Sequence, residues 1–329
     1  MKVQQNIDTL QLSDYLSKIE GQVIGSLTVM KDGKTVFTRR LGKNLIPKEH
    51  AIEIPLYRIG SISKMFTAVL IYQQVEKGLL KLDDKLSHYF PEVPRAEDIT
   101  IYQLLEHSAG LGNYIMKNDS SYTWMLSEVP HEDIMKEIIR QGLLYEPGKG
   151  FKYSNSGYFL LANILEKITG KPYPQIVEEA VFHPLKLQNT YSGIINATEI
   201  VTPYQKNEAG EWIEVPDFYF PNVIGVGELA STPEDVNHFL HALFSGKLIS
   251  SEHLQQIMKP FGTDRHGRGM MYIPYQEHKF YGHTGDTFGV HSIGVYNEQD
   301  GVSIAVNMNG GTISFADFLL GVFSSIYKD

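Results

Sequence analysis

The chain has 329 residues and no cysteine. That excludes disulfides, a thiol nucleophile and any cysteine-ligated metal. It has no apolar run long enough to span a membrane. It has no cluster of Lys and Arg, and 29 basic residues face 38 acidic ones for a net charge of −9. This balance argues against nucleic acid as a partner. No H-E-x-x-H, G-x-S-x-G or P-loop occurs, which argues against a Ser-His-Asp triad on an α/β-hydrolase fold. His131, His238, His241 and His253 show no metal-ligand spacing with carboxylates. Neither a metal nor a cofactor is therefore expected. The opening Met1-Lys2-Val3-Gln4-Gln5-Asn6 leads into no apolar stretch. The chain as given thus reads as cytoplasmic, or as exported if a signal has been removed upstream.

What is present is ordinary globular composition, 42% hydrophobic and 20% charged. The length suits one large or two ordinary domains. Leu12, Tyr15, Leu16 and Ile19 recur at helical spacing. Val23 to Met30 and Thr35 to Leu41 read as strands joined by an Asp32-Gly33 hairpin turn. Ile62, Met65, Phe66, Val69 and Leu70 predict one side of a helix that stops at Gly78. The middle is helical: a capping box at Thr100 and Gln103, a helix over 131–140, and a stripe of Tyr158, Leu161, Leu165 and Ile168 closed by Gly170. Thr232-Pro233-Glu234-Asp235 opens another helix. Strands return at 278–283, 290–296 and 302–309, before a last helix over 314–327. Strands at both ends and helices between them predict an α/β protein of the α+β type. One antiparallel sheet flanked by helices is built from both termini, over 1–80 and 226–329. A mainly α-helical domain over 81–225 is inserted, with the active site at the junction.

Three motifs carry chemistry. In Gly60-Ser61-Ile62-Ser63-Lys64, Ser61 and Lys64 share a face at the start of a helix. A serine needs a base to become nucleophilic, and a lysine of lowered pKa can be that base. The helix start offers N–H groups for an oxyanion. The same spacing also fits a capped, amphipathic core helix, and Ser325 and Lys328 repeat it with no other signal nearby. In Tyr153-Ser154-Asn155, alternate residues of an extended loop point the same way, so a phenol and an amide can face one cleft. A phenolate near a lysine can be a general base; a polar loop capping the next helix is the plainer alternative. In His283-Thr284-Gly285-Asp286, a glycine at a strand end lets a substrate approach the backbone and an edge N–H can bind an oxyanion. An ordinary turn is the alternative there.

Taken together and in this order, the motifs resemble the serine β-lactamase and penicillin-binding-protein superfamily, in the Tyr-Ser-Asn version of its class C branch. The resemblance covers nearly the whole chain. It extends to Leu104-Leu105-Glu106-His107-Ser108-Ala109-Gly110-Leu111, to Pro147-Gly148, and to Gly227-Glu228-Leu229-Ala230-Ser231-Thr232, where Glu228 replaces a usual glycine. It implies a β-lactamase/transpeptidase-like fold, with Ser61 as acylated nucleophile and Lys64 and Tyr153 as proton-transfer pair. Asn155 is implied as a ligand of substrate and lysine, and the N–H groups of Ser61 and Asp286 as the oxyanion hole, beside Thr284 and Gly285. His283 stands where β-lactamases of this class have a lysine. A histidine of pKa about 6.5 is only partly charged at neutral pH, so its grip on a substrate carboxylate is expected to weaken as pH rises. His107 is expected to be a packed residue. The resemblance implies a serine hydrolase acting on D-amino-acid peptides in the manner of a D-alanyl-D-alanine carboxypeptidase, or on small esters. The alternatives are a β-lactamase, a penicillin-binding sensor domain that is acylated without turnover, and a scaffold that keeps only the fold.

Overall fold

A computed structural model describes residues 7–46, 52–117, 122–194, 199–262 and 264–327. The Met1–Asn6 opening and Lys328 lie outside the described residues. The first helix, α1 (Thr9–Lys18), is capped by the Asp8 carboxylate, which accepts from the Gln11 N–H. It leads into the hairpin β1 (Val23–Lys31) and β2 (Lys34–Leu41). Asp32 and Gly33 both take positive φ at the turn, as a tight hairpin of this hand requires. A short strand β3 (Tyr57–Arg58) precedes a single 3-10 turn over Gly60–Ile62, which runs into α2 (Ser63–Glu76).

The middle of the chain holds α3 (Ile101–Leu105), with the Thr100/Gln103 capping box formed, α4 (His131–Gln141), and α5 (Asn155–Thr169), ended by left-handed Gly170. Two short helices, α6 (Tyr173–Val177) and α7 (His183–Leu185), follow, and then a small hairpin of β4 (Tyr204–Lys206) and β5 (Trp212–Glu214). Strand β6 (Ala230–Ser231) pairs with β3. Helices α8 (Pro233–Phe244) and α9 (Ser251–Met258) lead into β7 (Met271–Tyr275), β8 (His278–Asp286), β9 (His291–Asn297) and β10 (Val302–Gly311), and α10 (Phe315–Ile326) follows.

The main sheet is antiparallel with strand order β2-β1-β10-β9-β8-β7. Strands from the two ends of the chain therefore meet at β1 and β10. Pro274 sits in β7, an edge strand, where a missing N–H is tolerated. One face of the sheet packs under α1 and α10 through Leu27, Val295, Ile304, Phe318 and Val322. The other face carries α8, whose Phe239 ring stacks on Phe66 of α2 at 3.8 Å. The same core continues through α2 into α3 and α5.

The sequence predicts α2 as one-sided. In the structure every residue from Ser63 to Tyr72 is buried, Lys64 included. α2 is a central helix, packed on all sides, with its polar groups answered internally. Among the described residues no helix is long and apolar enough to cross a membrane.

Candidate active site

Ser61 sits in the 3-10 turn just before α2, rather than in the first turn of the helix proper. Its Oγ lies 2.9 Å from Lys64 Nζ and accepts from Tyr153 Oη at 2.8 Å. Lys64 Nζ also donates to the Val226 carbonyl at 2.8 Å. Burial pushes the Lys64 ammonium well below its ordinary value of 10.5, and the Glu228 carboxyl opposes this. Burial raises the Tyr153 phenol, the Ser61 hydrogen bond lowers it, and the net shift is upward. Both directions favour a neutral amine beside a neutral phenol. The phenolate considered for Tyr153 is thus not the resting form. With one amine N–H on Val226, the lone pair of Lys64 can face the Ser61 hydroxyl.

The turn bearing Ser61 is pressed against the end of β8. Gly60 takes φ +52°, and a side chain there would come within 3.0 Å of the Asp286 nitrogen. Thr287 and Val290 close the β8–β9 turn, with the Thr287 N–H on the Val290 carbonyl. Alternation along the ladder then turns the Asp286 N–H away from β9 and toward this turn. Gly285 is required for a reason other than the one its sequence suggests. A Cβ on it would lie 2.0 Å from the Ile59 carbonyl. The space that glycine leaves is filled by the strand leading to Ser61, not by a substrate.

The serine opens onto a cavity of about 340 Å³ whose walls include Asn155, His283, Thr284 and Asp286. Asn155 Nδ2 donates to Asn113 Oδ1 at 3.1 Å. The partners of Lys64 are Ser61 and Val226, so Asn155 does not hold the lysine here. His283 is 3% exposed, with Nδ1 2.5 Å from the Thr284 carbonyl. Burial, and then the neighbouring Lys64, push it from 6.5 down to about 3. It is neutral at pH 7, and the partial charge expected from an unperturbed histidine is absent. His107 is 3% exposed, accepts from the Ser154 N–H at 3.2 Å and stacks 4.4 Å from the Tyr153 ring. It is a packed residue that braces the tyrosine. Ser325, from the second Ser-x-x-Lys, donates to the Gly321 carbonyl within α10.

Residues 16–318 match the Beta-lactamase family. The chain belongs to that family. It is 28% identical over 279 residues to PbpX of Bacillus subtilis (strain 168), named as a provisional penicillin-binding protein; the match covers 82% of this chain and 67% of the relative. Teichoic acid D-alanine hydrolase of Staphylococcus aureus (strain NCTC 8325 / PS 47) is 26% identical over 293 residues, covering 87% and 70%. D-amino acid amidase from Ochrobactrum anthropi SV3, solved with L-phenylalanine amide, superposes with a TM-score of 0.79 at 26% identity over 96% of both chains. The α/β fold and the membership in a superfamily of serine hydrolases stand on these likenesses.

Two features of this Beta-lactamase family member escaped the sequence reading as parts of the site. The first is the loop over 225–229. Its Gly225 carbonyl accepts from Thr67, its Val226 carbonyl from Lys64, and its Leu229 N–H donates to Ser63. Backbone groups supply these contacts, so side-chain identity carried no signal. Glu228 in this loop is fully buried, with Oε1 accepting from Ser192 and Oε2 left without a partner. Burial pushes its carboxyl up to about 7. The second is His266, which lines the cavity beside Tyr153 and His283. Its Asp264-Arg265-His266 spacing was readable but matched no motif. Among the described residues no group of His, Asp and Glu is arranged to hold a metal.

Proposed function

We propose that this serine hydrolase forms an acyl-enzyme on Ser61, and that its substrates are amides or esters of amino acids bearing a free α-ammonium. The observation that carries the first part is the placement of Ser61 Oγ between Lys64 and Tyr153, at 2.9 and 2.8 Å. Lys64, as a neutral amine, takes the serine proton while Oγ attacks the carbonyl carbon. The N–H groups of Ser61 and Asp286 receive the oxyanion. Tyr153 passes a proton to the leaving group, and the Lys64 ammonium then returns the serine proton to the phenol. Asn155 and Thr284 offer hydrogen bonds to the substrate backbone.

The substrate class rests on charge. Among the described residues no lysine or arginine lines the cavity, and its one carboxylate is Asp286. His283 is neutral at pH 7. Such a wall suits an ammonium and gives a carboxylate no lysine or arginine to pair with. This moves the reading away from a carboxypeptidase or an efficient β-lactamase. The names of the two hydrolase relatives, one for teichoic acid D-alanine and one for D-amino acid amides, support the D-configured version.

The test is intact-mass spectrometry and kcat/KM on wild type and Ser61→Ala with a D-amino acid p-nitrophenyl ester or anilide, its N-acetyl derivative and a penicillin. The free-ammonium substrate should be turned over best, and Ser61→Ala should give neither adduct nor turnover. A penicillin turned over faster than the ammonium ester would defeat the substrate assignment. Label on another serine would defeat the nucleophile.

A further inference from the structure

Three imidazoles surround Tyr153: those of His107, His266 and His283, with ring centroids 4.4, 5.5 and 6.2 Å from the phenol ring. They differ in burial and in how their ring nitrogens are engaged. His107 is buried and its Nδ1 lone pair is taken by the Ser154 N–H. His283 is buried against Lys64, which makes it a weak base. His266 differs on every count. Its side chain is 24% exposed and lines the cavity that holds Ser61. Asp264 Oδ1 accepts from its backbone N–H at 2.8 Å and lies 2.7 Å from its Nδ1. A carboxylate only accepts, so in the neutral ring Nδ1 carries the hydrogen and Nε2 presents its lone pair. Phe151 stacks on the ring at 5.4 Å and fixes its plane. The Phe261 N–H on the His266 carbonyl and the Tyr272 N–H on the Arg265 carbonyl anchor the segment.

We propose that His266 is the general base for hydrolysis of the acyl-Ser61 ester, with Asp264 as its positioning residue; this rests on the reading that Ser61 is the acylated nucleophile. A water in the cavity gives a proton to Nε2 as its oxygen bonds to the ester carbon, and the carbonyl oxygen becomes the oxyanion. When that intermediate collapses, the bond from carbon to Ser61 Oγ breaks and a carboxylic acid leaves. Oγ takes the proton of Tyr153 Oη, 2.8 Å away. The imidazolium proton then restores the phenol. Every atom and proton of one water is accounted for. The arrangement divides the two half-reactions: Lys64 serves acylation, where the serine proton must go, and His266 serves deacylation, where the water proton must go.

The experiment is stopped-flow hydrolysis of a p-nitrophenyl ester, with quenched intact-mass analysis, on wild type, His266→Ala, His266→Gln and Asp264→Asn. In both His266 variants the p-nitrophenol burst should keep its rate while steady-state turnover falls about 100-fold or more, the usual contribution of a general base. The acyl mass should persist on Ser61. Added imidazole should restore turnover in His266→Ala, a response that loss of a merely structural side chain would not give. Asp264→Asn should slow deacylation by less, again sparing the burst. Equal loss in burst and turnover, unchanged turnover, or no response to imidazole would overturn the assignment of His266. Failure of wild type and of both His266 variants to acquire any mass would overturn the nucleophile assignment as well.

Discussion

Lys64 is a lysine placed where its charged form is costly. It lies in the middle of a buried helix, and its Nζ has a serine oxygen and a carbonyl as partners. Burial lowers its pKa, so the amine is available as a base at pH values where an exposed lysine is an ammonium. Burial moves Tyr153 the other way. In the mechanism proposed above the amine accepts and the phenol donates. Lys64→Met, which keeps the chain length, and Tyr153→Phe should each reduce the acylation rate by about 10²–10⁴-fold. The double variant should be little worse than the worse single one, because groups on one proton path are not additive. Single-turnover kinetics with a chromogenic ester checks this. Multiplicative losses would show that the two act separately.

At the scale of elements, the loop over 225–229 ties the first turns of α2 to the rest of the site. Glu228 in it carries a buried, half-satisfied carboxyl raised from 4.5 to about 7. A folded-state value above the unfolded one means that the native state holds the proton longer. Stability is then fully present below pH 4.5 and falls as pH rises through about 7, by about 3 kcal/mol for a rise of this size. Glu228→Gln should remove that fall. Thermal midpoints of wild type and variant, measured from pH 5 to 8, should converge at the acid end and separate at the alkaline end after any constant offset is subtracted. The acid limb of the acylation profile should also move to lower pH in Glu228→Gln, since the charge that supports the Lys64 ammonium is gone. Parallel midpoint curves would place the Glu228 proton elsewhere. This loop also marks where sequence reading stops. The three motifs, the Thr100 cap, the Thr232 helix start and the Asp32-Gly33 turn were legible because local chemistry dictates them. The Val226 carbonyl, the edge strand β7 and helix α9 were not. The first is a backbone group any residue carries, and β7 is an edge strand interrupted by Pro274, which weakens its local pattern. His283 was found by its motif but misjudged in charge, because burial beside Lys64 is a tertiary fact.

At the scale of the whole molecule, the two faces of the sheet have separate tasks. α1 and α10 cover one face, and Phe318 is fully buried between them and the strands. α8 and the start of α2 occupy the other, where Gly294 of β9 meets Val236 and Ile62. Ser61 and the end of β8 belong to this second side. Phe318→Ala should therefore weaken the fold without changing the chemistry. Loss of a buried phenylalanine leaves a cavity as well as lost transfer energy, about 3–5 kcal/mol in all. That is a large part of the about 5–15 kcal/mol that holds a typical protein together. Urea unfolding should show a lower midpoint with an unchanged slope. Acyl-enzyme formed per folded molecule, counted from the burst amplitude of an ester substrate in dilute buffer, should equal that of wild type. The burst rate should match too, because no contact of Ser61, Lys64 or Tyr153 passes through α10. A slower burst in molecules shown to be folded would mean that packing on the far face of the sheet sets the position of β8 against the serine.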